Sequence, residues 1–273
     1  MRDVSRQSLF FVVALALLVM AAWLVYTLIS SSTRLAKNSD VLKKTSGRVV
    51  TTEDVAYVEN AKGFLARPEE SGDFPGVVMI HEWWGLNDNI KEMARMLAAN
   101  GYVVLAVDLY SGEVAATPER ARQLVMSLDQ GKAAQNMRAA ASYLRTQQRV
   151  TRIASLGWCF GGGMSLQLAV SGEELFATAI YYGSLVTDES KLSSIHWPVL
   201  GIFGEKDTGI SVTTVKQFET ALDQLGVVNE IYIYPGVGHA FANPSGMNYA
   251  PEATQDAWAK TLAFLEKYLK SKS

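Results

Sequence analysis

The chain has one cysteine, three histidines and almost no net charge: 25 basic residues against 27 acidic ones leave −2 at neutral pH. A single cysteine excludes an intramolecular disulfide, so cysteine usage does not report the redox compartment. The balanced charge excludes the basic footprint of a nucleic-acid binder. His81-Glu82-Trp83-Trp84-Gly85 lacks the second histidine of a zinc-protease helix, and no metal site is expected. The glycine-rich stretch at 157–163 is not a phosphate loop, because Gly163 stands where the lysine is required, and it misses the dinucleotide spacing. No cofactor is therefore expected. Internal repeats and low-complexity blocks are lacking as well. What remains is apolar: 49% of 273 residues are hydrophobic, enough for one or two domains with a sizeable core.

The most informative stretch is 150–170. An apolar run from Ile153 to Leu156 reads as a buried strand, Gly157-Trp158-Cys159-Phe160-Gly161 as a sharp turn, and the run to Val170 as an amphipathic helix. Strand, one-residue apex between glycines and helix make a nucleophile elbow. The apex is Cys159, the only cysteine. Gly161, Gly162 and Gly163 occupy the first helical turn, where each costs roughly 1 kcal/mol relative to alanine. Close backbone approach is the usual reason to tolerate that cost. The alternative for Cys159 is a small buried hydrophobe, the role of most lone cysteines.

Residues 9–29 carry no charge. As a helix they would span about 31 Å, enough to cross a bilayer core of roughly 30 Å. The expected organisation is a tail over 1–8, a membrane anchor over 9–29, a Ser/Thr/Lys-rich tether over 30–52 and a catalytic domain over 53–273. Cleavage at Ser30-Ser31-Ser32 is the alternative to an uncleaved anchor. Arg2 and Arg6 precede the span, while Arg34, Lys37, Lys43 and Lys44 follow it, so strict positive-inside counting keeps the domain cytoplasmic. That rule weakens before a long folded domain, and an extracytoplasmic domain is the reading adopted.

From Val55 onward, strands alternate with helices: a hairpin of 55–58 and 63–66, then strands at 76–80, 102–107, 153–156, 177–182, 198–203 and 229–234. Helices are expected from Asn87 or Asp88 to Ala99 and at 118–128, 132–146, 212–225 and 252–269. The pattern predicts a mostly parallel sheet with helices on both faces, an α/β fold. Such sheets carry their sites past the C-terminal strand ends. Glu82, Cys159, Asp207 and His239 all fall there.

The order nucleophile, acid, base over Cys159, Asp207 and His239 is that of α/β-hydrolases. An imidazole removes the thiol proton and stabilises the thiolate, and a carboxylate fixes the histidine tautomer. Glu205 is the alternative acid. His81 has a weaker claim than His239, and His196, before Trp197-Pro198, reads as a surface residue.

With Gly157-Trp158-Cys159-Phe160-Gly161-Gly162, the Asp207 loop, Gly238-His239-Ala240-Phe241 and Glu82 in place, residues 53–270 resemble the dienelactone hydrolase family of α/β-hydrolases. The resemblance implies hydrolysis of a small-molecule ester or lactone through an S-acyl intermediate. It implies a role for Glu82 in forming the thiolate, and an oxyanion hole from the backbone amides of Phe160 and Trp83. Two departures stand out. Asn243 and Ser111-Gly112-Glu113 occupy the places of the arginines that clamp a lactone carboxylate in that family. Trp83, Trp84, Trp158 and Phe241 point instead to an apolar substrate pocket, with Asn243 at its edge. A redox-sensing thiol and a non-catalytic binding module on the same fold are the competing readings. Against the first, no second cysteine could resolve a sulfenic acid.

Overall fold

The computed structural model describes residues 47–59 and 61–270. The expected anchor at 9–29 lies outside them, as does most of the tether. Among the described residues, no helix is long and apolar enough to cross a membrane.

Eight strands form one sheet: β1 (Val50–Val58), β2 (Ala61–Pro68), β3 (Gly76–Ile80), β4 (Val103–Val107), β5 (Ile153–Trp158), β6 (Ala177–Tyr181), β7 (Val199–Gly204) and β8 (Asn229–Tyr234). Their order is β1-β2-β4-β3-β5-β6-β7-β8. The β1–β2 and β2–β4 pairs are antiparallel and the other five are parallel, so the sheet is mostly parallel as expected. Strands β3 to β7 are buried at every position. Uninterrupted burial means covered faces on both sides, which is why these strands read as unbroken apolar runs.

The helices between strands, the elbow helix excepted, start where the sequence supplies caps. Asn87 caps α1 (Asp88–Ala99) by accepting from Ile90 N, and Gly101, with φ of 84°, reverses the chain after it. Thr117 caps α2 (Pro118–Ser127), which has proline in its first turn. Asp129 caps α3 (Gln130–Gln147) in the same way. The elbow helix α4 (Phe160–Val170) is followed by a one-turn α5 (Glu189–Leu192) that the sequence does not announce. Ser211 caps α6 (Val212–Gln224), and α7 (Pro251–Leu265) runs into a π-helical turn, Glu266–Lys270.

Two expectations are corrected here. Val50, Thr51 and Thr52 belong to β1, not to a tether, and Glu69 N donates to Val49 O at 2.9 Å. The folded domain therefore begins before residue 53. Helix α4 is not amphipathic: among Gly161–Ala169 only Gln167 is exposed. It lies against β5, β6 and α3, and a helix enclosed in that way needs no polar face.

Candidate active site

Cys159 sits between β5 and α4 at φ 54°, ψ −118°. A side chain costs energy there, of order 1–3 kcal/mol, and the surroundings must hold it in place. Cys159 N donates to Tyr181 O at 3.0 Å, and Gly163 N donates to Cys159 O at 3.2 Å. The glycines make the turn sterically possible. A Cβ on Gly161 would lie 2.3 Å from Ile80 O and 2.4 Å from His81 O, and one on Gly157 would lie 2.1 Å from Gly161 O. These contacts are with backbone, which cannot swing aside. The expected reason for the glycines, close backbone approach, is the observed one.

The β7 and β8 loops meet at this turn. His239 Nδ1 lies 2.7 Å from Asp207 Oδ2, and His239 Nε2 lies 3.1 Å from Cys159 Sγ. His239 Nδ1–H donates to the Asp207 carboxylate, which leaves the Nε2 lone pair facing the thiol. Asp207 is itself fixed: its Oδ1 accepts from Gly209 N at 2.8 Å and Ile210 N at 3.0 Å. Its side chain is fully buried, while His239 keeps 37% of its own exposed. Asn248 Nδ2 donates to His239 O at 2.9 Å and steadies the loop. Glu205, the alternative acid, is exposed and accepts from Gly236 N at 2.8 Å, so it braces the β8 turn and does not meet His239.

Burial pushes the Cys159 thiol up to about 12, with the negative charges of Glu82 and Asp207 adding to it. The backbone amides of Phe160 and Trp83 act the other way, favouring the thiolate from two sides. Burial therefore favours the resting thiol over the thiolate. Desolvation of the sulfur is the physical reason.

Glu82 is buried in the turn after β3, and its carboxylate accepts from Asn243 Nδ2 at 2.5 Å. Burial raises this carboxyl to about 7, partly opposed by the Asn243 bond. Asn243 is 8% exposed, and its Oδ1 accepts from Ser245 N at 2.9 Å. It holds Glu82 and lines the small cavity behind that carboxyl group. Phe241 lines no open apolar pocket, and Trp158 reaches only that small cavity. Phe241 is 0% exposed and packs on Tyr182 and Tyr234, while Trp158 packs on Tyr181. Trp83 and Trp84 are half-buried, their rings 5.0 Å apart edge to face. Arg120 is engaged by Glu113 through Nε at 2.5 Å and Nη2 at 2.8 Å.

Sequence reasoning underrated His81. It is fully buried; its Nδ1 donates to Glu82 O at 2.5 Å and its Nε2 accepts from Leu109 N at 3.2 Å. It pins the Glu82 turn to the loop after β4, and burial keeps the ring neutral. Its position one residue past a strand end was the available signal. His196 is exposed, as expected. Among the described residues no cluster of three or more His, Cys, Asp or Glu side chains could hold a metal ion.

The dienelactone hydrolase family matches residues 61–269, nearly all of the described domain. The chain belongs to the dienelactone hydrolase family. It is a hydrolase of the ester and lactone class that defines these enzymes. Among similar proteins, one from Aquifex pyrophilus, named protein usf, is 31% identical over 218 residues, covering 76% of this chain and 94% of that one. A Saccharolobus solfataricus protein provisionally named carboxymethylenebutenolidase is 31% identical over 248 residues, covering 77% and 95%. Among solved structures, a dienelactone hydrolase-like promiscuous phosphotriesterase from metagenomic libraries superposes with a TM-score of 0.73 at 25% identity, covering 81% of this chain and 99% of that one. A Klebsiella pneumoniae protein provisionally described as a dienelactone hydrolase gives 0.70 at 25%, covering 82% and 100%.

Proposed function

We propose that this dienelactone hydrolase-like enzyme cleaves a neutral ester or lactone by a Cys159-His239-Asp207 triad through an S-acyl intermediate. The observation that carries it is the unbroken relay Cys159 Sγ to His239 Nε2 at 3.1 Å and His239 Nδ1 to Asp207 at 2.7 Å. Because burial keeps the thiol protonated, its proton moves to His239 Nε2 as sulfur attacks the carbonyl carbon. The carbonyl oxygen becomes an oxyanion, stabilised by the amides of Phe160 and Trp83. Asp207 stabilises the imidazolium and holds its tautomer. Collapse breaks the bond between carbonyl carbon and alkoxy oxygen, and His239 returns the proton to the departing alcohol. A lactone would keep that alcohol tethered to the acyl group. Water, deprotonated by His239, then attacks the thioester and releases the acid and the thiol.

The neutral substrate class rests on Asn243 and Ser111-Gly112-Glu113, which put no guanidinium where the lactone clamp would stand, and on Arg120, already paired with Glu113. Turnover of a simple aryl ester, abolished in Cys159→Ala and His239→Ala with folding intact, tests the triad. Undiminished turnover in either variant would defeat it.

We also propose that residues 9–29 anchor the domain to a membrane with the catalytic domain on the extracytoplasmic side. The support is the charge-free length of that segment. The full chain should pellet with membranes and resist release by high salt, and a protease added from outside should reach the domain. Recovery in the soluble fraction, with an intact mass lacking residues before Ser30–Ser32, would mean that the segment is removed.

A further inference from the structure

We infer that one water molecule binds in the cavity behind Glu82, held by the hydroxyl of Tyr182, and that Tyr182 is thereby the positioning residue for the Glu82 carboxyl group. Tyr182 follows β6 at the same sheet rim as the triad. Its ring stands edge-on to His239 at 5.3 Å and to Phe241 at 5.6 Å. The backbone is held at φ 35°, a conformation a tyrosine rarely adopts, by Tyr182 N donating to Ile202 O at 2.7 Å. That strain fixes where the side chain goes.

The phenol oxygen is buried, and although the Ala242 backbone amide approaches it as a donor, its own proton finds no acceptor among the described residues. A buried hydroxyl proton without an acceptor costs roughly 1–3 kcal/mol and calls for one. Tyr182 lines a cavity of about 10 Å³ together with Glu82, Asn89, Trp158 and Asn243. That is the room one water requires, and a water there needs two to four polar partners. The phenol, the carboxylate and the two amide side chains supply them. Phenol to water to carboxylate satisfies the Tyr182 proton and gives Glu82 a second donor besides Asn243.

The ionisable groups around Glu82 are few. The elbow contributes the Cys159 thiol and the β6 turn the Tyr182 phenol, both coupled to Glu82 by charge. Helix α1 faces the cavity with Asn89, Ile90 and Met93, and the β8 loop with Ala242 and Asn243, none of which titrates. A donor relayed from Tyr182 stabilises the anionic carboxylate, so its loss should raise the proton affinity of Glu82. The inference concerns this ionisation and stands apart from acylation of Cys159.

Two measurements test it. A crystal structure of the wild-type protein at a resolution that orders single waters should show one water bonded to Tyr182 Oη and Glu82. Separately, the carboxyl carbon of Glu82 is titrated by NMR in ¹³C-glutamate-labelled protein, with the signal assigned by its loss in Glu82→Gln. Tyr182→Phe, which keeps the ring packing, should raise the proton affinity of Glu82 roughly tenfold, the scale of a hydrogen bond to a charged group. Asn89→Leu, which fills the cavity from α1 and leaves Tyr182 intact, should shift it in the same direction, and it serves if Tyr182→Phe does not fold. A dry cavity overturns the inference, as does a water touching neither group. So does an unchanged or lowered proton affinity in the folded variants.

Discussion

The Asn243 side-chain amide donates to the Glu82 carboxylate across 2.5 Å, joining the loop after β8 to the turn after β3 beside the triad cysteine. A neutral amide opposes the effect of burial but does not cancel it, and Glu82 stays up at about 7 from an ordinary 4.5. This raised carboxyl has consequences for stability as well as chemistry.

Its folded value lies above its unfolded one, so the folded chain holds an extra proton between the two. Stability from Glu82 is therefore full below about 4.5 and falls as pH rises through about 7, a loss of about 3 kcal/mol. Glu82→Gln keeps an acceptor for Asn243 and carries no charge. The melting temperature of this variant minus that of the wild type should be clearly larger at pH 8 than at pH 5. Equal differences at the two pH values would show that Glu82 is not buried as a charge.

The elbow glycines should resist substitution. Gly161→Ala places a methyl within 2.4 Å of two strand-end carbonyls, Ile80 O and His81 O. It should cost at least about 1–3 kcal/mol in chemical denaturation, the range for overpacking a tight site. Gly131→Ala is the control: it lies in the first turn of α3, and its added methyl would meet only the end of the Asp129 side chain, at 3.3 Å. It should be neutral or stabilising by up to about 1 kcal/mol. Equal effects at both positions would remove the steric account of the elbow.

Two carboxylates follow β7, and their variants should separate. Asp207→Asn should lower kcat/KM by about 10³–10⁴-fold, since an amide cannot hold the imidazole tautomer as a carboxylate does. Glu205→Gln should change it by less than about threefold, because Glu205 only braces Gly236 N at 2.8 Å. A reversed ranking would move the acid of the triad to Glu205.

Substrate charge should matter little. Neutral aryl or short-chain esters should be hydrolysed at least as well as anionic lactones of matched size, judged by kcat/KM. A strong preference for the anionic lactone would require a cation that Asn243, Glu113 and the paired Arg120 do not provide.

Much of this site was legible in the sequence because each member follows an apolar run that ends in a turn. Strand β8, Asn229–Tyr234, has the expected bounds, and His239 follows it; Cys159 stands between glycines whose only role is closeness. The start of β1 was not legible, since Val50 to Thr52 are partly or fully exposed and pair only with the edge hairpin. Trp158 and Phe241 read as pocket residues because aromatic identity does not say which way a side chain faces. Tyr182 was invisible for a related reason: only the packed structure shows that its hydroxyl proton is left without an acceptor.

The most direct measurement is the mass of the enzyme during turnover of a slowly deacylating aryl ester, quenched in acid and mapped by peptide. The account predicts a stoichiometric burst of phenol and one acyl group on the peptide carrying Cys159, absent from Cys159→Ala and prevented by prior alkylation with iodoacetamide. An acyl group on another residue, or full turnover in Cys159→Ala, would contradict it and return Cys159 to a packing role.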